Sequence, residues 1–495
     1  MTRFASGNLG DIVGCGLHAD AAYVDAASGE ALTLEALDAR AARMAGGVAA
    51  RFSRGTRVAI IAENGTPFTL AYLALMRAGL VAVPLSQRLP AETIAYMIDD
   101  SDCAAALCDA RFAGLLPPAL PKIIIGSSDF DALLAADHIA PVRPAAGELC
   151  EILYTSGSSG RPKGVPLDHA GQLWALGKFL DASGPDFQRT VIVAPAYHMN
   201  GLFFTTVALA LGWRTVSMPK FDARGFLETV ARERSTLLSG IPTMFAMMAR
   251  QEDLLAALDL TSVTALTIGS APLTQALIDR VSAIFPNAEI RNSYGTTESG
   301  PALFGPHPAG LARPPLALGY PYQGAEWKLA GGTADQGRLL TRSPAVMRGY
   351  LNLPQVNAER LSDGWYDSGD IVRRDAQGFF YFVGRADDMF VCGGENIYPG
   401  EIEKLLERHP GVLQAAVLPV EDAIKGMIPV AFVVPAPGAD ITAQEVKAFA
   451  LHHGPAYAHP RAVALLDALP IGTTHKVDRK ALAEPARMLA ATLQR

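Results

Sequence analysis

From Tyr154 to Gly164 the chain reads Tyr-Thr-Ser-Gly-Ser-Ser-Gly-Arg-Pro-Lys-Gly, and these side chains together suit the holding of a phosphate. Glycine lets a backbone approach a bulky anion with no Cβ in the way. The hydroxyls of Thr155, Ser156, Ser158 and Ser159 can donate hydrogen bonds, and Arg161 and Lys163 add charge-assisted contacts. The stretch is not a Walker A loop, because the Gly-Lys-Ser/Thr ending is missing and Pro162 precedes the lysine. Cys392 could be read as a nucleophile, but no histidine partner is indicated beside it, and a packing thiol is expected.

The elements that must carry this loop alternate. An apolar run, Leu149 to Leu153, precedes it as a buried strand. Upstream, helical spacing runs from Ala31 to Arg54, followed by a strand (Arg57 to Ile61), a helix (Thr66 to Ala78) and a strand (Leu80 to Pro84). A helix (Ala91 to Asp100) and a strand (Ala104 to Cys108) come next. Downstream, strands are expected at 191–194, 214–218, 236–239 and 265–268, with helices at 201–211, 224–234 and 273–284. Such alternation predicts βαβ units and parallel sheet, and doubly wound sheets bind ligands at the carboxyl ends of their strands. Tyr154-Thr155, Gly269-Ser270 and Tyr294-Gly295 all fall at such ends. Beyond Pro301, Gly and Pro become dense and the strands short and antiparallel (337–342 and 379–383), as in a small β-barrel. After 385–388 one helix (401–408), two strands (413–419, 429–434), a helix (442–452) and a tail are expected. The fold class is therefore α/β, with a large amino-terminal domain (1–386) of parallel sheets plus the small barrel, and a small α+β carboxyl-terminal domain (387–495).

Composition sets the outer bounds. A chain of 495 residues is too long for one ordinary domain, and half of it is apolar, enough for sizeable cores. A net charge of −7 gives no support to nucleic-acid binding. Five scattered cysteines without a CxxC pair argue against a disulfide framework or zinc site and suit a reducing cytoplasm. No signal peptide is visible in residues 1–15, and the longest apolar stretch, 201–213, is too short to span a bilayer.

Further motifs follow the loop in order: Asn292-Ser293-Tyr294-Gly295-Thr296-Thr297-Glu298, Gly364-Trp365-Tyr366-Asp367-Ser368-Gly369-Asp370, Gly384-Arg385, a run from Met389 to Glu403 around Gly393-Gly394-Glu395, and Leu469 to Lys480. Together they resemble the adenylate-forming superfamily, which includes acyl- and aryl-CoA synthetases, peptide-synthetase adenylation domains and firefly luciferase. The resemblance covers nearly the whole chain. It implies that Thr155, Ser156, Gly157, Ser158, Ser159, Gly160 and Lys163 cradle the phosphates of ATP. Gly269, Ser270, Ala271 and Pro272 would lie against one adenine face, and Tyr294, flanked by Asn292, Ser293 and Gly295, would stack on the other. Thr296 or Thr297 would bond the α-phosphate, and Glu298, with Thr155, would hold Mg2+, whose usual ligands are one or two carboxylates plus phosphate oxygens. Asp370 would accept both ribose hydroxyls, with Arg385 beside it. Asp387 matches the hinge on which the small domain swings between two half-reactions. Gly393, Gly394 and Glu395 would then line the pantetheine tunnel. Lys476 would bridge the substrate carboxylate and the α-phosphate, although His475 stands where the family has glycine.

The resemblance also implies an acyl pocket at Pro195-Ala196-Tyr197-His198-Met199-Asn200-Gly201. Amino-acid-activating relatives carry an aspartate near this segment, and here His198 and no carboxylate stands in it, which favours a plain organic acid. His198, Met199, Asn200, Phe203, Ile241, Met244 and Leu303 would form the walls, with His198 also at the pantetheine exit. Too few residues follow Lys476 for a carrier domain, so the acceptor is expected from outside. The expected activity is an ATP- and Mg2+-dependent carboxylate–CoA ligase acting on an aromatic or short- to medium-chain acid through acyl-AMP. The alternative is a stand-alone enzyme that loads an acyl carrier protein. The partners expected are small molecules (acid, ATP and coenzyme A), with no nucleic acid and no transmembrane segment, in a monomer or homodimer.

Overall fold

The computed structural model describes residues 4–156, 161–183, 186–392, 394–422, 424–472 and 476–491. Two mostly parallel sheets build its amino-terminal part. The first orders the strands Glu289–Ser293, Ala265–Gly269, Leu237–Gly240, Arg189–Ile192, Arg214–Ser217, Ala22–Asp25 and Ala31–Thr33, and only the last pair is antiparallel. The second orders Lys122–Ile124, Cys103–Cys108, Arg57–Ile61, Val81–Pro84, Leu149–Ser156 and Pro162–Asp168, again with one antiparallel pair at the end.

The residue types explain this arrangement. Val58, Ala59, Ile60 and Ile61 are buried on both faces of their strand, as parallel sheets covered by helices require. The helix Thr66–Arg77 begins with Pro67 in its first turn and is buried along almost its entire length, so it is apolar all round. Helix Leu34–Ala49 starts later than its periodicity predicts. Residues Ala31–Thr33 pair with Ala22–Asp25 instead, and the Thr33 hydroxyl accepts from the Ala36 N–H to cap the helix.

The antiparallel portion, expected as a small barrel, comprises a five-stranded sheet and a two-stranded one, Phe304–Gly305 with Tyr320–Pro321. In the larger sheet Trp365–Arg374 pairs with Gln336–Arg342, Leu361–Ser362 and Phe380–Arg385. From Phe390 onward the chain builds its own sheet, with Phe390–Cys392 between Glu395–Ile397 and Gly426–Pro435, and Val412–Asp422 beyond. Ala462–Leu465 runs parallel to Gly426–Pro435. Its core is Ile402, Leu406, Val430, Phe432, Val446 and Leu482, distinct from the amino-terminal core.

The tail contains a helix the sequence reading missed, Arg479–Ala491. Leu482, Ala486 and Ala490 are its buried side, at helical spacing. Pro485 in its interior hid the signal, because proline ordinarily ends or kinks a helix. None of the described helices is long and apolar enough to cross a membrane.

Candidate active site

The phosphate stretch is a hairpin. Leu149–Ser156 and Pro162–Asp168 pair antiparallel, setting Thr155 opposite Lys163 and Ser156 opposite Pro162. Gly157, Ser158, Ser159 and Gly160 lie outside the described residues. The strand therefore runs past Leu153 as far as Ser156, and Thr155 and Lys163 emerge side by side from one rigid ladder.

At the edge of the seven-stranded sheet, Glu289–Ser293 delivers the second motif. A Cβ on Gly295 would stand 2.6 Å from the backbone of Pro301, so glycine alone lets the chain turn back there. A bridge between Thr296 and Gly300 closes that turn, and the hydroxyls of Thr296 and Ser299 bond at 2.9 Å. Glu298 comes to lie buried under the hairpin, where its Oε1 accepts from the Thr155 hydroxyl at 3.3 Å and from the Tyr350 hydroxyl at 2.9 Å. Thr155 and Glu298, 143 residues apart, are thus neighbours. Thr297, directly before Glu298, is half-buried.

Gly269 ends the adjacent strand, and Ser270 follows it. A Cβ on Gly269 would meet the Ser293 hydroxyl at 2.1 Å, which measures how tightly the two strand ends approach. Ser270 holds a left-handed φ of 63°, a strained conformation at a cleft edge. Its hydroxyl accepts from the Asn200 amide at 3.3 Å. Ala271 and Pro272 follow it into the cleft wall.

Strand pairing explains the fifteen-residue spacing of Asp370 and Arg385. They are register partners on Trp365–Arg374 and Phe380–Arg385. The Arg385 guanidinium donates to Asp370 Oδ1 at 3.1 Å, and the Tyr294 hydroxyl donates to Oδ2 at 2.5 Å. Burial pushes the Asp370 carboxyl above its ordinary pKa, while Arg385 and Tyr294 pull the other way.

Lys476 reaches this centre from the carboxyl-terminal domain. Its backbone carbonyl accepts from Gly472 N–H, and Ile471 bridges Val477, which fixes the backbone at the lysine. Lys476 is open to the cleft yet crowded by both domains. That crowding lowers its ammonium pKa, against the attraction of Asp370 and Glu298. The cleft has a volume of about 740 Å3 and is lined by Ser270, Tyr294, Thr296, Asp370, Arg385 and Lys476, among others.

Other candidates lie elsewhere. Asp387, in the turn Ala386–Asp388, pairs with Arg360 at 3.1 Å and Arg385 at 3.5 Å. Gly394 and Glu395 are exposed on the hairpin that follows, outside the cleft lining, and Gly393 is not among the described residues. Cys392 is buried there. His198 precedes helix Met199–Ala210. Phe203, Ile241, Met244 and Leu303 are buried in three different hydrophobic clusters, and none lines the cleft. From helix Pro242–Met248 the cleft is lined instead by Pro242, Thr243 and Ala246. Thr243 and Ala246 are three residues apart, on the face opposite the apolar Met244, Phe245 and Met248, and that spacing was the available signal. Tyr350, which touches Glu298, was also missed; it belongs to none of the motifs and carries no charge.

Two segments match known families: residues 16–351 match the AMP-binding enzyme family and residues 401–476 the AMP-binding enzyme C-terminal domain. A feruloyl-CoA synthase of an Amycolatopsis species is 33% identical over 463 residues, covering 91% of this chain and 93% of the relative. ATP-bound MatB from Rhodopseudomonas palustris superposes with a TM-score of 0.82 at 29% identity, covering 94% of this chain and 95% of that one. The anthranilate CoA ligase AuaEII, bound to anthranoyl-AMP, shares the fold at a TM-score of 0.89 and 22% identity, over 98% of both chains. This chain belongs to the AMP-binding enzymes and is an AMP-forming acyl-CoA synthetase.

Proposed function

We propose that the cleft activates an aromatic or short- to medium-chain carboxylic acid as its acyl-AMP and passes the acyl group to coenzyme A, with Lys476, Glu298 and Asp370 as the principal groups. The observation that carries this reading is that Lys476, from one domain, lines the same cleft as Asp370 and Arg385 from the other. Asp370 accepts hydrogen bonds from the ribose hydroxyls with both carboxylate oxygens, and Arg385 favours that ionised form against the burial that opposes it. Tyr294 and Ser270-Ala271-Pro272 flank the adenine. The Thr155 hydroxyl and Lys163, fixed opposite each other, hold the phosphate oxygens.

The donors around Glu298 are all oxygens, one carboxylate and hydroxyls. No group of three or more His, Cys, Asp or Glu side chains that could hold a metal occurs among the described residues. Such a set fits Mg2+, which keeps waters and shares its shell with substrate phosphates. Glu298, with Thr155 beside it, would hold the ion, which supplies neutralisation of phosphate charge.

With the acid carboxylate and the α-phosphate both anionic, Lys476 neutralises the charge that builds as the carboxylate oxygen attacks phosphorus and pyrophosphate leaves. A compact ammonium on a flexible stem suits that work. The small domain then turns at Asp387, Lys476 withdraws, and Gly393, Gly394 and Glu395 swing in to line the path of the coenzyme A thiol, which displaces AMP. The segment 195–201 carries His198 and no carboxylate, which supports a plain organic acid, and the feruloyl-CoA synthase relative puts hydroxycinnamates first among the acids to try.

The test is pyrophosphate and AMP release across acetate, medium-chain fatty acids, malonate, benzoates and cinnamates, each with and without coenzyme A. Coenzyme-A-dependent turnover with one group is the expected result. Pyrophosphate release indifferent to coenzyme A, with transfer to a phosphopantetheinylated carrier protein, would replace this reading. In the same assay Lys476→Ala should lose roughly 10²–10³-fold in acyl-AMP formation and nearly spare thioester formation from preformed acyl-AMP. Equal damage to both steps would remove Lys476 from its role.

A further inference from the structure

Behind Glu298 lies a side chain that no motif singles out. Tyr350 is 7% exposed. Its hydroxyl donates to Glu298 Oε1 at 2.9 Å, and the Lys163 ammonium stands 5.2 Å from its ring centre, within cation–π range. One side chain therefore touches both the carboxylate and the lysine of the phosphate hairpin. Tyr366 forms a side-chain hydrogen bond to Tyr350 from behind, so the phenol that meets Glu298 is itself held.

The backbone around Tyr350 is fixed with comparable care. Tyr350 N–H donates to Asn357 Oδ1 at 2.7 Å, and the Asn357 amide returns a bond to the Tyr350 carbonyl at 2.9 Å. Gly349 makes this possible. At φ 137° it lies in the region that side chains avoid, and a Cβ there would stand 2.9 Å from the Asn357 amide. On one side Met347 N–H donates to the Glu298 carbonyl at 2.8 Å, and on the other Leu351 N–H donates to the Gly164 carbonyl at 2.9 Å. Asn352 donates to the Asp100 carboxylate at 3.1 Å, and Tyr154 of the hairpin donates to the same carboxylate at 2.8 Å. Residues Met347–Asn352 thus form a strap across the turn that carries Glu298 and the hairpin that carries Thr155 and Lys163.

We infer that Tyr350 is a positioning residue for metal–ATP, setting the spacing between Glu298 and Lys163 through its hydroxyl and its ring. The inference rests on the proposed role of Glu298 as the metal carboxylate. A partner that orients a ligating carboxylate is commonly worth about 10–100-fold in metal affinity. The hydroxyl and the ring have separable effects. Tyr350→Phe keeps the ring under Lys163 and removes the hydroxyl, with its bonds to Glu298 and Tyr366. Tyr350→Leu removes both.

Mn2+ binding in the presence of a non-hydrolysable ATP analogue, followed by electron paramagnetic resonance, reads the site without turnover. Tyr350→Phe should weaken Mn2+ roughly ten-fold, leave the affinity for metal-free analogue unchanged, and raise the Mg2+ concentration for half-maximal pyrophosphate release by a similar factor. Tyr350→Leu should in addition weaken the analogue itself a few-fold. Unchanged Mn2+ affinity in Tyr350→Phe, with only a lower melting temperature, would reduce Tyr350 to a packing residue and overturn the inference. Glu298→Gln is the control for the underlying reading. If it abolishes Mn2+ binding while Tyr350→Phe does nothing, the positioning role alone fails. If Glu298→Gln binds Mn2+ as the wild type does, the metal assignment fails and the inference falls with it.

Discussion

Asp370 is held between opposing influences. Burial favours its neutral form, and Arg385 at 3.1 Å and the Tyr294 hydroxyl at 2.5 Å favour the carboxylate. Only the ionised form offers two acceptors to a pair of ribose hydroxyls. Replacing Arg385 by Met removes the main group that lowers this pKa, so the carboxyl protonates at higher pH than in the wild type. The acid limb of kcat/KM for ATP should therefore move to higher pH, with a loss of roughly ten-fold or more near neutrality, the scale of one charged hydrogen bond. A parallel loss at every pH, with the limb unmoved, would mean that Arg385 acts on the nucleotide directly and not through Asp370. At this scale the sequence was informative where residues carry charge inside a distinctive run. Asp370, Arg385 and Lys476 stand in such runs and line one cleft, and Glu298 stands in another, beside Thr155. Tyr350 was invisible because its contribution depends on where a neutral phenol points after folding. Ile241 and Met244 were chosen as pocket walls for their apolar character, a property they share with every core residue.

At the scale of elements, the hairpin that presents Thr155 and Lys163 is anchored at its far end by His169, which follows directly on strand Pro162–Asp168. His169 is 2% exposed, and its Nδ1 accepts from the Leu9 N–H at 2.9 Å. Burial pushes its pKa from 6.5 down to about 4. The unfolded chain therefore takes up a proton that the folded one refuses, and stability present above pH 6.5 is lost as pH falls toward 4. The loss between pH 7 and pH 5 is about 2 kcal/mol for a shift of this size. Glu151, buried on the paired strand, runs in the opposite sense. Its pKa is pushed up to about 7, so it favours folding at low pH. The difference between His169→Asn and wild type isolates the histidine. Urea unfolding at the two pH values should show the variant less stable at pH 7 and losing less on going to pH 5; identical slopes would exclude His169. Elements with one strong period were legible from sequence, as with Arg57–Ile61 and Ala91–Asp100, whose limits match the structure. Those governed by long-range pairing were not. Ala31–Thr33 has helical spacing but joins a sheet edge because Ala22–Asp25 needs a partner.

At the scale of the molecule, the arrangement that brings Lys476 to Asp370 is held by contacts made to backbone, which sequence cannot display. Arg280, on helix Gln275–Ile284, donates to the carbonyls of Val412 and Leu413 at 2.5 and 2.9 Å. Lys404 crosses in the other direction to the Phe382 carbonyl at 2.8 Å. Carbonyl oxygens belong to every residue, so nothing in Val412 or Leu413 marked them. Two charge-assisted bonds from one guanidinium, partly exposed and compensated by water when broken, amount to roughly 1.5 kcal/mol, or about ten-fold in the balance between domain arrangements. Under the two-step scheme this balance matters for one half-reaction only. Arg280→Ala leaves every group at the cleft in place and should lower acyl-AMP formation about ten-fold by depopulating the arrangement in which Lys476 is engaged. Thioester formation from preformed acyl-AMP, which needs the domain elsewhere, should hold its rate or rise. Single-turnover measurements of the two steps separate these effects. A variant slowed equally in both would show that Arg280 supports the fold of one domain, and one slowed in neither would show that the engaged arrangement owes its stability to Lys404 and the bound nucleotide.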